Sequence, residues 1–288
     1  MRSVFLGFAC NNHCVFCSQG ELGAASPDSG REWDGAFPPV KELAFVGGEP
    51  TLSDRLLGAV AGARKAGAEW ILVQTNARRL CYPDYARALR SSGVDALDVS
   101  LQGSSPAMHD YHTGVPGSMA QTVAGLRRAK ELGFRFGVST VVTRSNFRHL
   151  NEIALLARRL GAEALQVAAA APYGRAARSR DRVIPAPELV AETIPALSRE
   201  AARLGLGLCL FGKAPTAAAA RFFAGLGERN EALSASAAAP APRKDEDERA
   251  PKPKPGLGER HVQEKISGPA LAAIFPKLFA PEQTESNG

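Results

Sequence analysis

The amino-acid sequence predicts an α/β protein in which successive strand–helix units build a parallel sheet. Between residue 3 and about residue 211, short apolar runs alternate with amphipathic stretches, which is the pattern of repeated βα units. Glycines at positions 67, 93, 133 and 161 each follow an amphipathic stretch, where the end of a helix favours a left-handed residue. Because four repeats carry this signal in phase, the prediction does not depend on any one segment.

Six apolar runs are predicted to be strands, and helix start signals with apolar spacing predict the helices between them. The strands are Val4–Ala9, Glu42–Val46, Trp70–Gln74, Ala96–Leu101, Phe136–Val142 and Ala164–Ala169. The helices are Asp54–Ala66 after Ser53, Pro83–Ser92, Met119–Leu132 after Ser118, and Phe147–Leu160 after Asn146. A helix Ala186–Leu204 and a run Leu206–Phe211 predict a seventh unit at the edge of the sheet.

Residues 18 to 41 form the weakest repeat. They contain three prolines and four glycines without sustained helical periodicity, so a short helix or none is expected there. Periodicity alone also leaves the architecture open, since a doubly wound sheet and an incomplete barrel share the same alternation.

The composition changes beyond residue 212. Residues Ser234–Gly258 are rich in Ala, Pro and charged side chains, which bury too little apolar surface to offset chain entropy. We therefore expect a main domain over residues 1–212 and a largely disordered tail over residues 213–288, with a short helix in the apolar cluster Ile266–Phe279.

Charge and hydropathy restrict the class of protein. The net charge of +6 is spread along predicted helices, so nucleic-acid binding is not indicated. No run approaches the roughly 20 apolar residues that cross a bilayer, and the N-terminus does not resemble a signal peptide. We expect a cytoplasmic protein with no membrane partner.

Three of the five cysteines, Cys10, Cys14 and Cys17, fall within eight positions after the first predicted strand. Thiolates are the preferred ligands of iron–sulfur clusters and also bind structural zinc, for which His13 or His109 could be the fourth ligand. An odd number of thiols without a secretion signal argues against disulfides. The sequence thus indicates a metal centre with one ligand still to be supplied.

The C-x3-C-x2-C spacing, with an aromatic residue before the last cysteine, resembles the signature of radical S-adenosylmethionine (radical SAM) enzymes. The resemblance implies a partial (βα)6 TIM-type barrel with chemistry at the carboxyl ends of the strands. It implies that Cys10, Cys14 and Cys17 hold a 4Fe–4S cluster, with S-adenosyl-L-methionine (SAM) on the open iron, and that the backbone of Phe16 lies against the adenine. Members of the family take electrons from a low-potential donor such as flavodoxin or ferredoxin.

The second predicted strand ends in Gly47, Gly48 and Glu49, followed by Pro50. Such glycines are common in turns, but their position one unit after the cysteines is similar to the family's Gly-Gly-Glu motif, which implies contact with the amino group of SAM. By the same resemblance, Ser100 and Ser139 at the next strands contact the ribose and carboxylate of SAM, with Thr140 as the alternative to Ser139.

Other polar residues near the strand ends carry weaker implications. The segment Pro172–Arg175 could flank the adenine or be a surface turn, and His109 and Asp110 are expected in a cap or loop. Cys81 and Cys209 are expected in the core. The sequence around the fourth strand resembles that of radical SAM peptide maturases, which implies a peptide as a candidate substrate, although the tail lacks their cysteine-rich extension. A zinc-stabilised binding protein and a catalytically degenerate partner remain as alternatives.

Overall fold

The computed structural model describes residues 1–19, 35, 37, 41–172, 174–210, 219, 222 and 223. Within them the chain forms seven strands and eight α-helices. The strands are β1 Arg2–Phe5, β2 Glu42–Val46, β3 Trp70–Thr75, β4 Ala96–Ser100, β5 Arg135–Val142, β6 Ala164–Ala169 and β7 Gly207–Leu210. The helices are α1 Leu56–Lys65, α2 Pro83–Ser91, α3 Pro106–Thr113, α4 Ser118–Glu131, α5 Leu150–Leu160, α6 Gly174–Arg178, α7 Arg180–Val183 and α8 Pro187–Arg203.

All seven strands are parallel, and they lie in the sheet in the order of the sequence. A doubly wound sheet reverses its strand order at a switch point, so this order excludes that architecture. The predicted partial barrel is confirmed, and β7, the added unit expected from residues 206–211, raises the strand count from six to seven.

Some predicted boundaries were wrong. The first strand ends at Phe5 rather than at residue 9: Leu6 still donates to Val46, whereas Gly7 and Ala9 accept from Gly48 and Glu49, which lie beyond the end of β2. A 3-10 turn, Phe147–His149, precedes α5. Helices α3, α6 and α7 were not predicted. The four glycines predicted at helix ends do have positive φ, between 71° and 107°.

The two faces of the sheet differ in character. Alternate residues of β2, β3, β4 and β5 are large, apolar and buried on one face: Leu43, Phe45, Ile71, Val73, Leu97, Val99, Phe136 and Val138. The register places polar residues side by side on the other face, where Gln74 lies beside Asp98, Ser100 beside Ser139, and Ser139 beside Gln166. Paired residues of parallel strands point to the same side, so one side of the sheet is a hydrophobic core and the other is polar.

Phe222 and Phe223 pack against the polar face at Gly137. Both rings are buried, and a Cβ on Gly137 would lie 2.6 Å from the Cζ atom of Phe223. The guanidinium of Arg135 lies 5.6 Å from the ring centroid of Phe222. Gly137 is the register partner of Asp98, so the two rings lie near Asp98 on the polar face.

The chain divides into two compact units, Met1–Gly225 and Leu226–Gly288, and the second lies outside the described residues. Most of the predicted disordered tail, its terminal helix, most of residues 18–41 and Tyr173 also lie outside the described residues, so these predictions and the domain boundary at 212 stay predictions. Of the predicted tail, Ala219, Phe222 and Phe223 are described, and they are buried. None of the helices that the structure describes has the length and apolar character needed to span a bilayer.

Candidate functional site

The three clustered cysteines lie on a loop, residues 10–17, which follows β1 and which we call the cysteine loop. Cys10 is exposed, Cys14 and Cys17 are half-buried, and all three thiols are free. The N–H of Asn12 points to the Cys10 sulfur at 3.4 Å, and the N–H of Cys17 donates to the Cys14 carbonyl at 3.1 Å. These local bonds hold the loop in a compact turn.

The electrostatics of the cysteine loop disfavour free thiolates. Desolvation, with smaller contributions from Glu49 and Cys17, raises the pKa of the Cys10 thiol to about 11. Desolvation also raises the pKa of Cys14, and charge on Cys10 and Cys17 acts in the same direction. Metal ions bind cysteine as thiolate and offset this penalty. Thiols whose ionisation is disfavoured at Cys10 and Cys14 are therefore better suited to metal ligation than to nucleophilic attack.

The carboxyl-terminal end of α3 holds one side of the cysteine loop. The N–H of His13 donates to the Thr113 carbonyl at 2.7 Å, and the N–H of Val15 donates to the His112 carbonyl at 3.0 Å. Gly114 ends the helix with φ of +67°, and a Cβ there would lie 2.8 Å from the carbonyl oxygen of His13. The backbone of the loop thus supplies donors to carbonyls that the helix end leaves unpaired.

The turn after β3 holds the middle of the cysteine loop. Arg78 is buried, and its Nη1 donates to the Asn11 carbonyl and, at 2.7 Å, to Asn12 Oδ1. Its Nε donates to Gln121 Oε1 at 2.6 Å, which anchors the guanidinium to α4. Asn76 Nδ2 donates to Asn11 Oδ1 at 2.7 Å. Two adjacent side chains of the loop, Asn11 and Asn12, are therefore fixed from the same turn.

The start of α6 holds the far end of the loop. Arg175 donates from Nε to the Cys14 carbonyl at 2.9 Å and from its backbone N–H to the Cys17 carbonyl at 3.1 Å. Gly174 has φ of +52°, and a Cβ there would lie 2.3 Å from the Cys17 oxygen. Residues 172–175 were expected either to flank the adenine or to form a surface turn. The contacts of Gly174 and Arg175 with the cysteine loop do not fit a surface turn.

Gly47 and Gly48 lie against the chain segment that leads into Cys10. The N–H of Gly48 donates to the Gly7 carbonyl at 2.8 Å, and the N–H of Glu49 donates to the Ala9 carbonyl at 2.7 Å. A Cβ on Gly48 would lie 2.4 Å from the Phe8 oxygen, and one on Gly47 would lie 2.6 Å from the Gly7 oxygen. Only glycine permits this approach of two backbones.

The Glu49 carboxylate is buried and accepts four hydrogen bonds. Oε1 accepts from Thr51 Oγ1 at 2.5 Å, from the Thr51 N–H at 3.1 Å and from Thr75 Oγ1 at 2.6 Å, and Oε2 accepts from the Asn76 N–H at 2.6 Å. Desolvation raises the pKa of Glu49, and these four donors oppose the rise. The carboxylate joins the end of β2 to the end of β3.

The cysteines and glycines described above lie in a part of the chain that matches a known protein family. The model of the radical SAM superfamily matches residues 4–157, which is more than half of the chain. The chain belongs to the radical SAM superfamily. Both predicted motifs, the cysteines and the Gly-Gly-Glu turn, lie within the matched residues.

Curated relatives of this radical SAM protein include enzymes with different names. The AdoMet-dependent heme synthase of Nitratidesulfovibrio vulgaris is 30% identical over 187 residues, which cover 62% of this chain and 50% of the relative. The PqqA peptide cyclase of Gluconobacter oxydans is 28% identical over 207 residues, which cover 69% and 57%. The chain thus spans about half the length of the curated relatives that it matches.

Solved structures share the fold. Streptococcus suis SuiB matches with a TM-score of 0.54 at 15% sequence identity, covering 73% of this chain and 48% of SuiB. The structure of anSMEcpe with bound AdoMet also gives 0.54, at 18% identity, covering 73% of this chain and 64% of anSMEcpe. At these identities the likeness concerns the architecture of the sheet and its helices.

The predicted serines lie on the polar face of the sheet in this radical SAM protein. Ser100 and Ser139 are register partners, and Ser139 Oγ lies 2.5 Å from Asp98 Oδ1. Thr140, the alternative to Ser139, lies on the opposite face and donates to the Leu101 carbonyl at 2.8 Å. The sheet therefore brings the two serines together and separates Thr140 from them.

Phe16 and the histidines occupy distinct surroundings. The Phe16 side chain packs against the small cluster of Ala170, Ala176 and Val183. His13 is exposed, whereas His109 is buried inside α3, where its Nδ1 accepts the N–H of Gln102 at 3.1 Å. Among the described residues, no three His, Cys, Asp or Glu side chains are gathered closely enough to hold a metal ion. Metal analysis must therefore decide between zinc and a cluster.

Several positioning residues were missed from the sequence. Asp110, expected in a cap or loop role, lies within α3 and does cap α4, since its carboxylate accepts the N–H groups of Gly117 and Met119 at the start of that helix. The Ser105-Pro106 pair is a helix start signal that could have revealed α3. Arg78 carried no signal, because only burial distinguishes it from a surface arginine.

Proposed function

We propose that this radical SAM protein is an enzyme that cleaves SAM reductively and abstracts hydrogen from a substrate of the peptide class. A 4Fe–4S cluster with bound SAM supplies the 5′-deoxyadenosyl radical for this chemistry. The observation that carries the proposal is the contact between the two motifs. The N–H of Glu49, in the Gly-Gly-Glu turn, donates to the carbonyl of Ala9, the residue before Cys10.

In this proposal Cys10, Cys14 and Cys17 hold the cluster. Their loop is fixed by α3, by the turn after β3 and by α6. Cys10 is the exposed thiol, and we propose that a low-potential donor such as flavodoxin or ferredoxin approaches from its side.

SAM would lie beside the Gly47–Gly48 backbone and the two serines. Gly47 and Gly48 are half-exposed, whereas both oxygens of Glu49 already accept protein donors. We therefore propose that the backbone of the two glycines contacts the amino group of SAM, while Glu49 holds the turn and attracts that ammonium through its charge. Ser100 and Ser139 supply hydroxyl groups on the polar face, and the backbone at Phe16 borders the adenine.

Two of the similar proteins carry names that favour the peptide class of the substrate, whereas the heme synthase does not. One is named PqqA peptide cyclase, and SuiB is known in complex with its precursor peptide SuiA. The protein's part is to hold the substrate bond beside the reactive carbon and to exclude water from it. The matches cover about half of each relative's length, so the substrate screen described next is what identifies the peptide.

The test begins with anaerobic reconstitution of the full chain with iron and sulfide. About four irons and four sulfides per chain are expected for one cluster. With dithionite and SAM, the loaded protein should release 5′-deoxyadenosine, and addition of candidate precursor peptides should change the amount released. Cys14→Ala should abolish cluster binding. Cys209→Ala is the matched control, because β7 lies at the opposite edge of the sheet from β1.

Three outcomes separate the alternatives. Zinc bound without sulfide would support the zinc-stabilised binding protein and reject the enzyme. A complete cluster that never cleaves SAM would support a catalytically degenerate partner. Loss of the cluster in Cys209→Ala as well as in Cys14→Ala would show that the effect of Cys14→Ala is not specific to the cysteine loop.

A further inference from the structure

We propose that Arg78 is a positioning residue for the cysteine loop and that its fixed positive charge raises the reduction potential of the cluster. This inference rests on the proposed function, because it presupposes that the loop holds a cluster. It concerns a residue outside the two motifs, and it makes predictions that do not depend on turnover.

The contacts of Arg78 support the positioning role. Its Nη1 donates to the backbone of Asn11 and the side chain of Asn12, which lie between Cys10 and Cys14, and its Nε is anchored on Gln121. All three acceptors are neutral oxygen atoms. The guanidinium thus fixes the part of the loop that sets the separation of the first two cysteines.

The backbone before Arg78 provides an independent observation. Ala77 has φ of +59°, and it is the one non-glycine with positive φ among the described residues. A left-handed alanine is strained, and such strain persists only where the surroundings require it. Ala77 separates Asn76 from Arg78, and both neighbours bind the cysteine loop. The left-handed backbone at Ala77 thus directs the side chains of Asn76 and Arg78 toward the cysteine loop.

The charge of Arg78 acts on the loop because no carboxylate is bonded to it in the described residues. The acidic groups whose charge would act on Arg78 are Cys10, Glu49, Cys81 and Asp110; burial raises the pKa of both thiols, and the two carboxylates already accept other donors. Arginine stays protonated even when desolvated. A unit charge acting over roughly 10 Å at an effective dielectric of about 20 changes an equilibrium more than tenfold.

Reduction adds an electron to the cluster, so a nearby cation favours the reduced state. Gln121→Glu tests this without disturbing the loop, since a carboxylate in place of the amide can accept the same bond from Nε and pair with the guanidinium charge. We expect the reduction equilibrium of the cluster in Gln121→Glu to shift toward the oxidised state by up to about tenfold, which is 59 mV for one electron. Redox titration followed by electron paramagnetic resonance measures it.

Arg78→Lys tests positioning in the full-length apo protein, because lysine keeps the charge but has no second nitrogen to bond Gln121 while the first bonds Asn11 and Asn12. We expect Cys14 to be alkylated by iodoacetamide at least threefold faster than in the wild type, as counted by mass spectrometry. Should this variant fail to fold, Asn12→Ala, which removes one acceptor of the guanidinium, replaces it with the same expectation. Arg64→Gln is the control, because Arg64 bonds the Gly93 carbonyl, away from the loop.

An unchanged midpoint potential in Gln121→Glu would overturn the electrostatic role, and unchanged alkylation in Arg78→Lys would overturn the positioning role. An equal effect in Arg64→Gln would show that the changes in potential and in alkylation come from general destabilisation of the protein. Wild-type protein that binds no cluster would reject the proposed function itself, and the alkylation result would still report whether Arg78 orders the loop.

Discussion

Substituting Gly48 with alanine should destabilise the protein and disturb the cysteine loop together. A Cβ at this position would lie 2.4 Å from the oxygen of Phe8, 2.5 Å from that of Ala9 and 2.7 Å from the carbonyl carbon of Phe8. These atoms belong to the backbone, so no side-chain rotation can relieve the contact. The two strand ends must move apart.

The magnitude follows from two contributions. Overpacking of this kind costs about 1–3 kcal/mol. Separation of the backbones also weakens the bonds from Gly48 to Gly7 and from Glu49 to Ala9, each worth roughly 0.5–1.5 kcal/mol. The free energy of unfolding should therefore fall by about 2–6 kcal/mol, which lowers the melting temperature of a domain of this size by at least about 4 °C.

Urea unfolding and thermal melts of the apo protein measure the effect, and iron content after reconstitution should fall with it. Gly58→Ala is the matched control, because Gly58 lies within α1 and a Cβ there meets nothing within 4 Å. That change should stabilise the protein by about 0.5–1 kcal/mol. A Gly48→Ala protein with wild-type stability and iron content would refute the reasoning.

Three further predictions follow from the described contacts. Desolvation lowers the pKa of His109 to about 4. Between pH 7 and pH 5, His109 therefore becomes protonated in the unfolded chain but stays neutral in the folded protein. The wild type should lose roughly 2 kcal/mol of stability relative to His109→Gln over this range, and urea unfolding with equal pH slopes would contradict it. Gly137→Ala should cost about 1–3 kcal/mol because its Cβ meets Phe223, and Phe223→Leu should recover part of this in a double-mutant cycle; strictly additive effects would refute the contact. Ser139→Ala should lower the free energy of unfolding by about 1–3 kcal/mol because buried Asp98 loses a donor, and thermal melts identical to the wild type would argue against that bond.

Regular spacing of apolar residues predicted most of the fold. Strands β2 to β6 and helices α1, α2, α4, α5 and α8 lie close to their predicted positions because each buries an apolar face. Helix α3 escaped this reasoning, since the residues it buries are His109, His112 and Thr113. A helix that turns polar side chains inward has no apolar stripe to detect, and only its cap at Ser105 is visible in the sequence.

The sequence names candidate ligands for the site but not the residues that support them. Cysteine spacing marks Cys10, Cys14 and Cys17 as candidate cluster ligands, because few other uses concentrate three thiols in eight positions. Supports such as Arg78 and Arg175 act through backbone carbonyls, which every residue has. Their targets therefore leave no pattern in the sequence, and burial of a charged side chain is the property that reveals them.

The two family motifs are less independent than their separation in the sequence suggests. The Gly-Gly-Glu turn can be explained by chain packing alone, since Gly47 and Gly48 admit the backbone of residues 7–9 and Glu49 bonds to Ala9. The same turn delivers Glu49 to Thr75 and Asn76, and Asn76 then binds Asn11 of the cysteine loop. One continuous set of contacts thus runs from the glycines through β3 to the cysteines. A substitution in either motif should disturb the other even without SAM, so cluster content and SAM binding should fall together in glycine variants.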